Sequence, residues 1–194
     1  MKVIVIASQK GGVGKTTLAG HLAVQAEAAG AGPVALIDTD PQGSLAAWWN
    51  EREAEAPLFA QAETDNLPAH LAELEAAGVE LVIIPTRPSP HDLRAVGSTV
   101  ELVEAAGRRM IFVINGAANR ARIAGEAAVA LSQHGTVAPV TLYQRTDYAS
   151  SMIDGRTVQE IDAAGRSAQE VGELCKYVSA QLRKSTNMEI RRAA

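Results

Sequence analysis

The sequence has a single cysteine, Cys175, so an intrachain disulfide and a cysteine-rich zinc site are both excluded. A reducing compartment suits such a chain. Aromatic residues make up only 4% of the 194 residues, which leaves Ala, Val, Ile and Leu to build the core. No apolar run approaches the ~18 residues of a membrane-spanning helix. The opening run Lys2-Val3-Ile4-Val5-Ile6-Ala7 is too short for a signal peptide and reads as a strand. Positive charge is not in excess, because the formal net charge is -4. That argues against a protein coated in basic charge for nucleic acid, while leaving room for a local basic patch. Internal repeats and low-complexity segments are also missing. The length suits one compact α/β domain, expected over residues 1–182, with a polar tail over 183–194.

What is present is an alternation of short β-branched runs and helical patterns. Strands are expected at 3–7, 34–37, 81–84, 110–114 and 137–143, with a weaker one at 57–62. Helices are expected at 16–29, 43–55, 67–77, 92–106 and 120–133, and over most of the chain from Tyr148. Asp92 is placed as the N-cap of the helix at 92–106. Pro85, Pro88 and Pro90 assign residues 85–90 to a loop, since proline cannot donate to a ladder. Right-handed crossovers between parallel strands then give a doubly wound, mostly parallel sheet with helices on both faces, the P-loop NTPase type.

The first loop carries the chemistry. Ser8-Gln9-Lys10-Gly11-Gly12-Val13-Gly14-Lys15-Thr16-Thr17 joins a strand to a helix. Gly11, Gly12 and Gly14 let backbone N–H groups turn around phosphate oxygens, and the helix start adds its positive dipole end. Lys15 would reach the β- and γ-phosphates, and the Thr16 hydroxyl would ligate Mg²⁺. Val13 and Thr17 complete the nucleotide loop, with ATP and ADP as ligands. Asp38 and Asp40 follow the second strand at the carboxyl edge where such sheets bind ligands. Asp38 is expected to orient Mg²⁺ through its water shell and Asp40 to orient the attacking water. Asp40 could instead N-cap the helix that starts near Gly43.

Lys10-Gly11-Gly12-Val13-Gly14-Lys15-Thr16-Thr17 resembles the deviant Walker A motif of the ParA/MinD ATPases. The resemblance also covers Asp38-Thr39-Asp40-Pro41-Gln42-Gly43-Ser44, the stretch 84–93, the strand ending at Asn115, and 145–155, with ParA-type partition proteins nearest in the Asp-x-Asp-Pro-Gln-Gly-Ser string. It implies slow ATP hydrolysis and a homodimer that sandwiches two ATP molecules, with Lys10 reaching the partner subunit's phosphates. The alternative for Lys10 is a solvated side chain that only raises the local potential. The resemblance further implies non-specific DNA binding, a ParB-like stimulating partner, and plasmid, chromosome or other cargo. A cytoplasmic protein, nucleoid-associated when ATP-bound, follows. Asn115 would contact adenine, or else simply end its strand in the Asn115-Gly116 turn. Candidate DNA contacts are Arg145, Arg156, Arg166, Lys176, Arg183 and Lys184, which also fit a solvated helical face. Trp48 and Trp49 read as buried anchors. The segment 188–194 lacks the bulky apolar face of a membrane-surface helix, so no membrane partner is expected.

One family element is missing. The resemblance calls for a strand ending in Asp-Thr/Ser-Pro-Pro, then a helix, before the strand that leads into the Ser-Pro-x-Asp loop. Here a single apolar run, 81–84, passes directly into Pro85. The chain is short by about 20 residues, roughly one strand-plus-helix unit. Loss of a carboxylate behind a metal's ligands costs about 10–100-fold in affinity or activity. ATP binding is therefore the firmer expectation, and a nucleotide-binding regulator with little turnover is the alternative. A metabolic phosphotransferase is a third option, disfavoured by Lys10 and by the lack of an obvious acceptor pocket.

Overall fold

The computed structural model describes residues 2–61 and 79–193. In chain order the elements are β1 (Val3–Ile6), α1 (Lys15–Ala28), β2 (Ala35–Asp38), α2 (Ser44–Asn50), β3 (Leu58–Gln61) and β4 (Val79–Thr86). There follow α3 (Pro90–Ala105), β5 (Met110–Ala117), α4 (Arg122–Ser132), β6 (Thr136–Val137), β7 (Leu142–Tyr143), α5 (Thr146–Ser151), α6 (Val158–Ile161) and α7 (Arg166–Ala193). The helix expected at 67–77 lies outside the described residues. The helical backbone of α7 runs on through the boundary that the sequence suggests after Leu182.

All strand pairs are parallel, in two groups. The larger sheet has the order β1-β4-β5-β6, with β7 also on β5. The smaller, among the described residues, pairs β2 with β3. Period-2 alternation fills both faces of the larger sheet. Val82, Ile84, Phe112 and Ile114 pack under α3 and α4 with Val96, Val100 and Leu131. Leu81, Ile83, Ile111 and Val113 point the other way, to Leu18 of α1 and to Leu174 and Val178 of α7. A sheet covered on both faces explains why β4 and β5 read as continuous apolar runs.

Three expectations need correction. The first concerns Pro85, which belongs to β4 and not to a loop, pairing with Val113 while Thr86 pairs with Ile114. Val82 N–H donates to the Arg109 carbonyl, so even-numbered residues of β4 turn their N–H groups toward β5. Pro85 therefore faces the β1 side one step past the last ladder bond, from Ala7 N–H to the Ile83 carbonyl, and with no N–H to give it cannot extend that ladder. The second is the cap of α3, which is Ser89, with Pro90 opening the helix; Ser89 Oγ accepts from Asp92 N–H at 3.2 Å. Finally, the strand expected at 137–143 is two short strands, β6 and β7, interrupted around Pro139, which has no N–H to give.

Trp48 is buried and its Nε1 donates to the Arg156 carbonyl at 3.2 Å. Trp49 stacks on Phe59 and donates to the Pro57 carbonyl at 2.9 Å. Both act as anchors between α2 and its surroundings, as the sequence suggests.

Candidate nucleotide site

The loop between β1 and α1 turns on two left-handed glycines, Gly12 (φ 72°) and Gly14 (φ 93°). Gly14 is the N-cap of α1, and no side chain caps the helix. Its first turn contains no acidic residue. The orphan N–H groups of that turn, next to a Gly-rich loop whose Gly11 and Gly12 leave open space beside their Cα atoms, form a cradle for an anion. A Cβ on Gly14 would lie 2.2 Å from Asn115 Nδ2, so glycine is needed there for space as well as for φ. Lys15 and Thr16 open α1 at the mouth of this cradle. The donor set fits a magnesium-bound polyphosphate: backbone N–H groups, an ammonium and a hydroxyl.

The loop is fixed from several directions. Asn115 Nδ2 donates to the Val13 carbonyl at 2.7 Å, and Val13 is itself buried. Gln9 N–H donates to Thr99 Oγ1 on α3 at 3.2 Å, and Lys10 N–H to Ser8 Oγ at 3.2 Å. Lys10 Nζ lies 2.8 Å from Asp92 Oδ1. Burial pushes the Asp92 carboxyl up, but hydrogen bonds from Lys10 and Ser89 outweigh it and hold the group below the ordinary carboxylate range. Lys10 thus has an internal carboxylate partner and is not a freely solvated side chain.

Asp38 and Asp40 do different things. Asp38 Oδ2 accepts from Leu45 N–H (2.9 Å) and Ala46 N–H (3.1 Å), and its Oδ1 from Asp40 N–H (3.0 Å). Asp38 therefore closes the amino end of α2 across the intervening turn. Asp40 Oδ1 accepts from Gln42 N–H at 3.0 Å, its one hydrogen bond through the carboxylate among the described residues, and Asp40 is exposed. The capping job that the sequence allows for Asp40 falls to Asp38.

Beyond the end of β5 lies a cavity of ≈ 550 Å³ lined by Ala118, Asn119, Gln144, Arg145, Thr146 and Ala149. Behind it Glu170 acts as a hub. It pairs with Arg145 at 2.6 Å, accepts from Tyr143 N–H at 3.1 Å and from the Tyr148 hydroxyl at 3.0 Å. Burial and the Glu170 charge push the Tyr148 hydroxyl above its usual range. Glu170, Thr99 and the Lys10–Asp92 pair are contributors that the sequence does not single out. Glu170 stands in an ordinary helical pattern, and nothing local marks it. The candidate basic contacts are dispersed. Arg145 is tied to Glu170, and Arg156 pairs with Asp154 at 2.6 Å. Lys176 and Arg183 share a second cavity of ≈ 310 Å³ with the carboxyl end of α1. Arg166 opens α7 and Lys184 is exposed on it.

Comparison with known proteins agrees with this geometry. Residues 4–190 match the CobQ/CobB/MinD/ParA nucleotide binding domain. The chain is 29% identical over 207 residues to Maintenance of carboxysome distribution protein A of Halothiobacillus neapolitanus, covering 90% of this chain and 95% of that protein. Its fold is similar to that of a Cyanothece McdA–ATP complex (TM-score 0.73, 15% identity, 94% of this chain and 96% of that one). It is similar also to MinD with Mg-ADP from Pyrococcus horikoshii (TM-score 0.71, 17% identity, 92% and 96%). With its glycine-wrapped, uncapped helix start and a match over nearly its whole length, this chain belongs to the CobQ/CobB/MinD/ParA nucleotide-binding family.

Proposed function

We propose that this protein is a ParA-like ATPase that binds Mg-ATP on the loop 8–17 and closes around two nucleotides as a homodimer. The observation that carries the reading is the uncapped amino end of α1 behind Gly12 and Gly14, with Lys15 and Thr16 at its mouth. Lys15 holds the β- and γ-phosphates, and the Thr16 hydroxyl binds Mg²⁺. The metal neutralises charge on the phosphates. Asp38, with both oxygens already fixed by backbone N–H groups, is positioned to receive a water of the Mg²⁺ shell. Asp40, exposed and less committed, orients the attacking water. Asn115 braces the loop through Val13, and the base lies toward the cavity beside Ala118 and Gln144. Lys10 leaves Asp92 to meet the partner subunit's phosphates.

The dimer then holds non-specific DNA through phosphate contacts and carries a cargo under control of a ParB-like partner, in the cytoplasm and on the nucleoid. Lys176 and Arg183, which converge on one cavity and have no ion-pair partner among the described residues, are the strongest phosphate contacts; Arg145 and Arg156 are already paired. The relative named for carboxysome distribution adds a carboxysome to plasmids and chromosomes as cargo. No helix among the described residues is long and apolar enough to cross a membrane.

A second reading, a nucleotide-binding regulator with little turnover, is favoured by the junction at Pro85. There, β4 lies directly beside β1 and ends with proline and threonine in place of a carboxylate. The molar mass in Mg²⁺ with no nucleotide, ADP or ATP, measured by light scattering beside phosphate release, tests both. Doubling with ATP and slow phosphate release support the ATPase. Doubling without release selects the regulator, and a mass indifferent to nucleotide overturns the sandwich.

A further inference from the structure

The smaller sheet and the larger one stand on the same helix without touching through a ladder. Leu18 and Leu22 of α1 pack with Ile6, while Ala19, Ala23 and Val24 pack with Leu36. Strands β1 and β2 nevertheless belong to different sheets. The ladder bonds show which backbone groups are left over. Ala7 N–H donates to the Ile83 carbonyl at 3.0 Å, so odd-numbered residues of β1 face β4. The N–H and C=O groups of Ile4 and Ile6 point the other way. Leu58 N–H donates to the Val34 carbonyl at 2.9 Å, so even-numbered residues of β2 face β3. The groups of Ala35 and Ile37 point away from it.

Among the described residues these four amides and four carbonyls have no ladder partner. The side chains beside them are apolar and uncovered: Ile4 is 39% exposed, Ile37 56%, and Leu58 on the neighbouring strand 57%. Open edges of this kind are templates for another strand. The spacing of donors and acceptors selects the occupant. Only an extended backbone repeats both groups every two residues and can pair with an edge on each side. Its side chains of one parity would meet Ile6, Leu36 and α1, and those of the other would extend the Ile37–Leu58 face. Apolar residues are needed at both parities, as in a strand buried on both faces. Among the described residues a second copy of this chain has no such strand to spare, because the strands described are already held in sheets.

We propose that the slot between β1 and β2 takes an extended apolar strand supplied by a partner polypeptide. This goes beyond the nucleotide reading and does not depend on it, so the test uses the full chain without nucleotide. The probe is a synthetic peptide of alternating valine and isoleucine flanked by lysines, and the readout is hydrogen exchange by NMR. The peptide is expected to slow the amides of Ile4, Ile6, Ala35 and Ile37 by about tenfold or more. The amides of Val5 and Leu36, which already face ladder partners, change little. A peptide interrupted by proline has no effect. Ile37→Pro removes one slot-facing N–H and no ladder bond, so it folds and weakens peptide binding by about tenfold. Ile37→Lys, which places charge on the face to be buried, gives the same loss through a different cause. Three results overturn the proposal: slow exchange of the four amides in dilute free protein, no protection by the peptide, or protection that tracks protein concentration with a doubled mass, which would make a second copy the occupant.

Discussion

Strands β2 and β4 are both apolar, parallel and joined to helices, yet the two halves of the molecule to which they belong are built differently. In β4, Leu81, Ile83 and Ile84 are completely buried between two helical layers. In β2, Leu36 is buried while Ile37 lies 56% exposed, because only the α1 face is covered. The phosphate loop grows out of the first half, braced by Asn115 from β5 and Thr99 from α3. Asp38 and Asp40 grow out of the second. On the proposed function, the difference teaches that holding a nucleotide and acting on it fall to regions of unequal packing. The phosphate loop stands on the half whose sheet is covered on both faces, and the two aspartates on the half covered on one.

The largest expected effect contrasts the two cores directly. Phe112→Ala removes a fully buried ring from the larger sheet and should cost about 3–5 kcal/mol in urea unfolding. Phe59→Ala on β3, where the ring stacks on Trp49 at the edge of the small sheet, should cost distinctly less. Equal losses would break the comparison.

Next is a pH effect at the helix that joins the halves. His21 is 1% exposed; its Nδ1 lies 2.7 Å from the Thr17 carbonyl, and its ring meets Tyr148 edge-on. Donation to a carbonyl puts the proton on Nδ1. Burial lowers its pKa from 6.5 to about 4, against weaker upward pulls from Thr17 and Glu160. The unfolded chain therefore takes up the proton first. The stability from His21 is complete above pH 6.5 and is lost as pH falls toward about 4, a change of about 3 kcal/mol. Denaturant titrations from pH 7 to pH 4, compared with His21→Gln, isolate that slope; parallel curves would show that the imidazole is not held neutral.

Much of this architecture is legible in the sequence, and the reasons are local. The glycine loop announces itself because φ near +90° at Gly14 and a strand-to-helix junction admit few other residues. That β1 and β2 fall in different sheets depends on which strands pair, and no local pattern shows it. Pro85 looks like a loop residue until the ladder shows that its missing N–H faces a side where β1 has ended. Ser89 and Asp92 are both chemically suited to cap α3, and only backbone direction selects the serine. Asp38 takes over the capping that Asp40 could have done because its carboxylate reaches across a turn to Leu45 and Ala46. Asn115, expected to end its strand, lies inside β5, which runs on to Ala117, and its bond to the Val13 carbonyl joins residues about a hundred positions apart. No sequence pattern marks that.

A kinetic contrast comes third. Asp40→Ala should lower phosphate release about a hundredfold, the usual contribution of a group that orients or deprotonates a nucleophile. It should leave ATP binding nearly unchanged, because the Asp40 carboxylate is hydrogen-bonded to its own turn at Gln42 and, among the described residues, not to the loop at Gly12 and Gly14. Gly14→Ala is its counterpart on the half covered on both faces: the added methyl meets Asn115 Nδ2, so nucleotide binding itself is lost. Fluorescent-nucleotide titration beside phosphate release separates the two. If Asp40→Ala abolishes binding, the division of labour between the halves is wrong.

The smallest effect is the sharpest discriminator. Ile37→Thr keeps a β-branched side chain on β2, so strand propensity is maintained. The residue is 56% exposed and belongs to no core cluster, so little apolar area is at stake. The expected change in unfolding free energy is within about 0.5 kcal/mol, as for an ordinary surface site. The same isoleucine in a sheet covered on both faces would exchange its ethyl group for a buried, unpaired hydroxyl, at a cost of roughly 2 kcal/mol or more. A result near the larger figure would mean that β2 is covered in solution and that the two halves are packed alike. A result near zero means that this face of β2 stands open in solution, as its exposure indicates.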